Sequence, residues 1–126
     1  MQEIEICGVV CSGRQLGREL GFPTANLLVA EQLAVANGVY RAEVIVEDAS
    51  GVEHRYPAMA NLGHNPSVGG SERCLESHLF GFEGSLYGRR IRVRLVEWMR
   101  EERKFESLEA LRTQIEKDKQ TILNKL

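Results

Sequence analysis

Three stretches of this 126-residue chain have residue types and spacings that could do chemistry. The first is Gly13-Arg14-Gln15-Leu16-Gly17-Arg18-Glu19-Leu20-Gly21-Phe22-Pro23-Thr24-Ala25-Asn26-Leu27. Its glycines permit close backbone approach. Closely spaced backbone N–H groups, with Arg14 and Arg18, suit phosphate oxygens. Thr24 and Asn26 add hard neutral oxygens, which suit a Mg²⁺ ion that also carries nucleotide phosphates. Glycine, proline and asparagine also punctuate ordinary turn-rich connections, so residue type alone leaves both readings open. The second stretch is Cys74-Leu75-Glu76-Ser77-His78-Leu79-Phe80, where strand alternation puts Cys74, Glu76, His78 and Phe80 on one face. Glu76 there is either a surface glutamate or the carboxylate base that a hydroxyl needs as it attacks a γ-phosphate. His78, two residues on, either tunes that carboxylate or hydrogen-bonds within the fold. The third is Met99-Arg100-Glu101-Glu102-Arg103-Lys104-Phe105, a charged connection ending in an aromatic residue that can staple a helix to its neighbour.

Other chemistries are excluded by pattern. There is no GxxxxGK[ST], so no P-loop, and no HRD or DFG set of a protein kinase. His54, His64 and His78 lack ligand spacing for zinc. Cys7, Cys11 and Cys74 are an odd number without a CxxC pair, and read as reduced, packed thiols. The net charge is −2 with a pI near 5.9, which argues against a dedicated nucleic-acid binder. No run approaches the ~18 apolar residues of a membrane-spanning helix, and the start Met1-Gln2-Glu3-Ile4-Glu5 is acidic rather than signal-like. A soluble cytoplasmic protein is the default.

The elements that must position these residues are mostly strands. Ile4 to Val10, Ala25 to Val29, Val39 to Val46, His54 to Ala60, Cys74 to Phe80 and Arg89 to Trp98 carry β-formers, with turn residues between them. Gly8 suggests a bulge, and Pro57 an edge or a bulge. Asp48-Ala49-Ser50-Gly51 reads as a hairpin turn. Asn61 to Ser71 reads as a second long loop of the functional kind. In the last strand Ile91, Val93 and Leu95 alternate with Arg90, Arg92 and Arg94, a half-buried pattern with a solvated arginine face. Ser107 is an N-cap with Glu109 in the first turn. Leu108, Leu111, Ile115 and Ile122 then fall near one face of a C-terminal helix. Gln15 to Leu20 could form only a marginal helix between its glycines. The length suits one domain, residues 1–126, and the pattern suggests a small antiparallel barrel with an external helix.

Gly13 to Leu27 resembles the glycine-rich loop and Pro-Thr-Ala-Asn motif of the riboflavin kinase family. That family includes single-domain eukaryotic kinases and the C-terminal module of bacterial bifunctional FAD synthetases. Asn61-Leu62-Gly63-His64-Asn65-Pro66-Ser67 is similar to its second active-site loop, commonly Asn-Ile-Gly-x-x-Pro-Thr, with Leu62 for Ile and Ser67 for Thr. Glu76-x-His78, Phe80 and Leu86-Tyr87-Gly88 resemble its Glu-x-His…Tyr-Gly block, and Arg100 to Phe105 its Arg…Phe segment. The resemblance runs from about Gly8 to Ile122.

It implies a mainly β fold, a six-stranded antiparallel Greek-key barrel with a C-terminal α-helix. It also implies transfer of the ATP γ-phosphate to the 5′-hydroxyl of riboflavin, with Mg²⁺, giving FMN and ADP. Glu76 would be the base. Gly13, Arg14, Gly17, Arg18, Thr24 and Asn26 would hold the ATP phosphates, with Thr24 and Asn26 also on the metal, and Arg100 and Phe105 would border the flavin. With no HxGH-type adenylyltransferase motif present, FMN is the expected end product. A monomer without nucleic-acid or membrane partners is expected. The rival readings are a catalytically idle flavin- or nucleotide-binding module on the same barrel, and a nucleic-acid-binding barrel of the OB type. Eight aromatics, several of them in loops, and net acidity disfavour the last.

Overall fold

The computed structural model describes residues 3–11, 24–64 and 72–126. Gly13, Arg14, Gly17 and Arg18, the marginal helix and Asn65 to Ser71 lie outside the described residues. Six strands, β1 (Ile4–Val9), β2 (Thr24–Leu28), β3 (Gly38–Glu47), β4 (Glu53–His64), β5 (Arg73–Leu79) and β6 (Arg90–Arg100), precede one helix, α1 (Leu108–Leu123). They form a single antiparallel sheet in the order β1-β6-β3-β4-β5-β2. Cys11, just past β1, donates its N–H to the Asn26 carbonyl at 2.8 Å in β2. That bridge brings the two edge strands together at one point and curls the sheet into a half-barrel.

Period-2 alternation explains the two sides of the sheet. Tyr40, Ala42, Val44 and Val46 of β3 and Ala58, Ala60 and Leu62 of β4 point inward. Leu27, Leu75, Val93 and Leu95 meet them in a core with almost no exposed surface. A second, smaller cluster lies outside the barrel. Val39, Met59 and Phe80 of the sheet's outer face pack against Ile115 and Ile122 of α1. Ser107 caps α1 as expected, its Oγ accepting from the Ala110 N–H at 3.1 Å. Leu108 departs from the expected apolar stripe. It is about half exposed, because the stripe that packs runs through Leu111, Ile115 and Ile122.

Three local expectations are refined. The β1–β6 register is continuous through Gly8, and the irregular points lie instead between β3 and β6, at Val39/Tyr40 and Arg41/Ala42. Pro57 sits on the part of β4 that is still an edge on one side, since β5 joins only from Ala58. Its carbonyl accepts from the Phe80 N–H at 2.9 Å, and its missing N–H costs no ladder bond with β5. The second loop does not begin at Asn61. Asn61, Leu62 and Gly63 continue β4, opposite Glu76, Leu75 and Cys74 of β5, and Asn61 and Leu62 also pair with Val39 and Gly38 of β3. The composition suggested a turn, but Leu62 is fully buried in the barrel, and core packing overrides local propensity.

The arginine face of β6 is a cross-strand charge lattice. Arg94 pairs with Glu3 and Glu43, each at 3.1 Å, and Arg92 pairs with Glu53 and with Glu5. Each surface pair contributes little to stability. Together they neutralise the basic stripe that the sequence presents.

The connection between β2 and β3 is held by a buried polar anchor and ends on an obligatory glycine. Arg73, at the start of β5, is only 5% exposed. It donates to the carbonyls of Leu33 (2.7 Å) and Val35 and to the Asn37 side chain (2.9 Å), so one guanidinium organises the chain between β2 and β3. Gly38, which ends that connection, has φ +146°, and a Cβ there would lie 2.2 Å from Trp98 Nε1 and 2.8 Å from the Arg100 carbonyl. Only glycine fits both the backbone and the space.

Candidate active site

The outer face of β4 and β5, the 101–107 strap and the first half of α1 enclose a cleft of about 590 Å³. Its size is that of a small-molecule site. Met59, Asn61 and Gly63 of β4 and Cys74, Glu76 and His78 of β5 form its floor. Arg100, Glu102 and Phe105 come from the strap side, and Leu111 and Ile115 from the helix. The cleft exists because α1 covers only part of the sheet's outer face.

Glu76 lies at the centre of the floor. It is directly opposite Asn26 on β2 and Asn61 on β4. Opposed residues of an antiparallel ladder project to the same face. The three side chains therefore stand in one row, Asn26–Glu76–Asn61, with Thr24, His78 and Met59 in the next. Glu76 Oε1 is 3.6 Å from His78 Nε2, and Oε2 is buried without a hydrogen-bond partner. The His78 ring is 4% exposed and its Nδ1 is also unpartnered, so the imidazole is tied to the rest of the fold by packing. Asn26 is 2% exposed, and among the described residues its Oδ1 accepts from the Cys74 thiol, at 3.8 Å. Burial is the main cause that pushes the Cys74 thiol up to about 12, which keeps it protonated and able to donate.

The strap is pinned from both ends. Arg100 donates to Asp118 of α1 through Nη2 (2.8 Å) and Nε (3.3 Å), and Gln114 adds a bond to the same carboxylate at 3.0 Å. Asp118 is 3% exposed, so this fork is the polar centre of the barrel–helix contact. Arg103 stacks over the Phe105 ring at 5.1 Å. The Glu102 carboxylate lies against Gly63, where a Cβ would meet its oxygen at 1.8 Å. Partial desolvation raises its pKa above the ordinary value, and the nearby His64 opposes the shift.

The fold thus brings Glu76, His78, Arg100 and Phe105 to one cleft and sets Thr24 and Asn26 beside it on β2. Thr24 and Asn26 alternate on one face of β2, and their hydroxyl and amide oxygens have the hard, neutral character that suits Mg²⁺. Among the described residues there is no group of three or more His, Cys, Asp or Glu arranged for a metal. Asp118 was missed by reading the sequence, although a signal was present. Ile115, Asp118 and Ile122 are spaced three and four apart, so the aspartate falls inside the buried stripe. A carboxylate in that position calls for a cation on the facing element.

The sequence pattern of the family described as Flavokinase, riboflavin kinase, matches residues 1–126. A bifunctional riboflavin kinase/FMN adenylyltransferase of Escherichia coli K12 is 42% identical over 116 residues, covering 92% of this chain and 36% of the relative. A Bacillus subtilis protein named RNA-binding riboflavin kinase RibR is 43% identical over 115 residues, covering 90% of this chain and 47% of the relative. The chain therefore spans about a third to a half of the length of these curated relatives. A solved structure from Streptococcus pneumoniae, described as a macrolide-efflux protein, superposes with a TM-score of 0.79 at 31% identity, over 95% of this chain and 38% of that one. The crystal structure of riboflavin kinase from Trypanosoma brucei matches in fold, with a TM-score of 0.68 at 24% identity, over all of this chain and 81% of that one. With the family pattern matched from end to end over a mainly β barrel with one C-terminal helix, the chain belongs to the riboflavin kinase family.

Proposed function

We propose that this chain transfers the γ-phosphoryl group of ATP to the 5′-hydroxyl of riboflavin, releasing FMN and ADP. The observation that carries the mechanism is the buried, unpartnered Oε2 of Glu76 on the floor of the cleft. It is a buried acceptor oxygen without a hydrogen-bond partner, on a residue that lines the cleft, and a substrate hydroxyl would supply the missing donor. Glu76 takes the hydroxyl proton as the new O–P bond forms, and the bond between the β–γ bridging oxygen and the γ-phosphorus breaks, leaving ADP. His78 flanks the carboxylate on the Oε1 side, its Nε2 3.6 Å away and beyond hydrogen-bond distance.

Thr24 and Asn26 are the residues of the described chain that would hold a Mg²⁺–nucleotide, from the strand beside Glu76. The ion, when bound, neutralises phosphate charge. Gly13, Arg14, Gly17 and Arg18 would complete the phosphate side. Phe105 and Arg100 border the other side of the cleft, where a flat ring system would lie against the strap and the apolar edge of α1. Positioning of this kind, rather than covalent chemistry, supplies most of the acceleration in phosphoryl transfer.

The test separates binding from chemistry. Glu76→Gln should lower FMN formation by roughly 10²–10⁴-fold, the usual contribution of a positioned base, while flavin fluorescence quenching on binding persists. Thr24→Ala and Asn26→Ala should weaken Mg²⁺–ATP binding more than flavin binding. Equal turnover by Glu76→Gln and the parent protein would reject the base. Flavin binding without any turnover by the parent protein would favour an idle binding module.

A further inference from the structure

Two acceptors on the cleft floor lack donors. Besides Glu76 Oε2, the Oδ1 of Asn61 is buried and without a hydrogen-bond partner. The two residues are directly opposite each other on β4 and β5. Directly opposed side chains have Cβ atoms about 4.5–5.5 Å apart, a separation that neighbouring hydroxyls of one polyol can bridge to both acceptors. An unmet buried acceptor is costly, and a pair of them side by side on the floor of a cleft is accounted for when a ligand brings the donors.

The position of Asn61 narrows what that ligand group is. Asn61 lines the cleft together with Gly63, Arg100 and Phe105, whereas Asn26, on the opposite flank of Glu76, does not line it. Asn61 therefore stands between the base and the strap that borders the ring slot. A flavin whose ring lies against the strap and whose terminal hydroxyl reaches Glu76 must run its side chain past Asn61. The donors offered along that path are the secondary hydroxyls of the ribityl chain.

We propose that Asn61 accepts a hydrogen bond from a secondary ribityl hydroxyl and so makes the site selective for flavins with a polyhydroxylated side chain. This rests on the flavin-kinase reading above. The residue is a substrate contact that sets specificity, distinct from the proton acceptor Glu76.

The experiment measures dissociation constants for riboflavin and for lumiflavin, which has the same ring and no side-chain hydroxyls, by flavin fluorescence in the presence of ADP and Mg²⁺. The parent protein and Asn61→Leu are compared, with Asn61→Ala alongside in case leucine is not accommodated and Asn61→Thr to restore an oxygen acceptor. Asn61→Leu or Asn61→Ala should weaken riboflavin binding about tenfold, the usual value of one well-placed hydrogen bond. Lumiflavin binding should change less than about twofold, and Asn61→Thr should recover part of the riboflavin preference. Unchanged lumiflavin affinity also reports an intact cleft. Equal losses for both flavins, or no loss for either, would overturn the assignment while leaving FMN formation by the parent protein, and hence the kinase reading, in place. A parent protein that binds neither flavin and makes no FMN would overturn both.

Discussion

Removing the charge of Asp118 should loosen the helix from the barrel. Asp118 is 3% exposed and takes two bonds from Arg100, at 2.8 and 3.3 Å, and one from Gln114 at 3.0 Å. Asp118→Asn keeps the shape and one acceptor oxygen but leaves the Arg100 guanidinium facing a neutral amide. Breaking one side of a fully buried pair costs about 3–5 kcal/mol. The Arg100 side chain is 21% exposed, so water reaches part of it and the cost falls to the bottom of that range or just below it, about 2–3 kcal/mol. For a domain of this size that is roughly a 10 °C fall in Tm, or about 1–2 M in the urea midpoint. The assay is urea unfolding followed by the fluorescence of the single tryptophan, Trp98, with far-ultraviolet circular dichroism as a second probe. Replacing both partners with apolar residues, Arg100→Met with Asp118→Leu, should recover much of the loss, because the unpaired charge disappears. A change below about 0.5 kcal/mol for Asp118→Asn would place the pair among those that contribute little and refute the view that it docks α1.

Other perturbations follow from the same geometry. Gly38→Ala forces a side chain into a φ of +146° and against the Arg100 carbonyl and Trp98; it should cost about 3 kcal/mol or more in urea unfolding, and a near-neutral result would contradict the observed close approach. Arg73→Met takes the Arg73 donor from the Val35 carbonyl and the Asn37 side-chain oxygen, and one of two donors from the Leu33 carbonyl, which keeps the Val35 N–H; it should destabilise by about 3 kcal/mol, with faster hydrogen exchange confined first to residues 29–37. Glu102 has its pKa raised by desolvation, so the folded state holds that proton more tightly than the unfolded state. Its contribution is most favourable below the ordinary value of 4.5 and declines as pH rises through that value and the folded pKa. Glu102→Gln should therefore match the parent protein in acid and exceed it in stability at neutral pH; a difference that does not vary with pH would contradict this sign.

Much of the scaffold was legible because period-2 patterns are strong where one face is buried. Ile91, Val93 and Leu95 against three arginines, or Cys74, Glu76 and His78 against Leu75, Ser77 and Leu79, declare both strand and facing. The same alternation correctly put Glu76 and His78 on one face, and the cap at Ser107 was readable from residue type. What eluded the sequence depended on partners distant along the chain. Asn61 to Gly63 has turn-like composition, and only the burial of Leu62 between β3 and β5 makes it strand. Arg73 falls just outside the strand expected from Cys74, yet it anchors a connection some 40 residues earlier. The row Asn26–Glu76–Asn61 joins residues from three strands, and pairing register cannot be read from any one of them. The bridge between Cys11 and Asn26 is non-local in the same way.

The central claim is that a carboxylate on the outer face of β5 directs phosphoryl transfer to a flavin hydroxyl. The most direct measurement incubates the chain with riboflavin, ATP and Mg²⁺ and separates products by chromatography, for the parent protein and Glu76→Gln at equal flavin saturation. The account predicts FMN from the parent protein only when all three are present, and a steep loss in the variant with flavin binding retained. FMN formation at the parent rate by Glu76→Gln would contradict it.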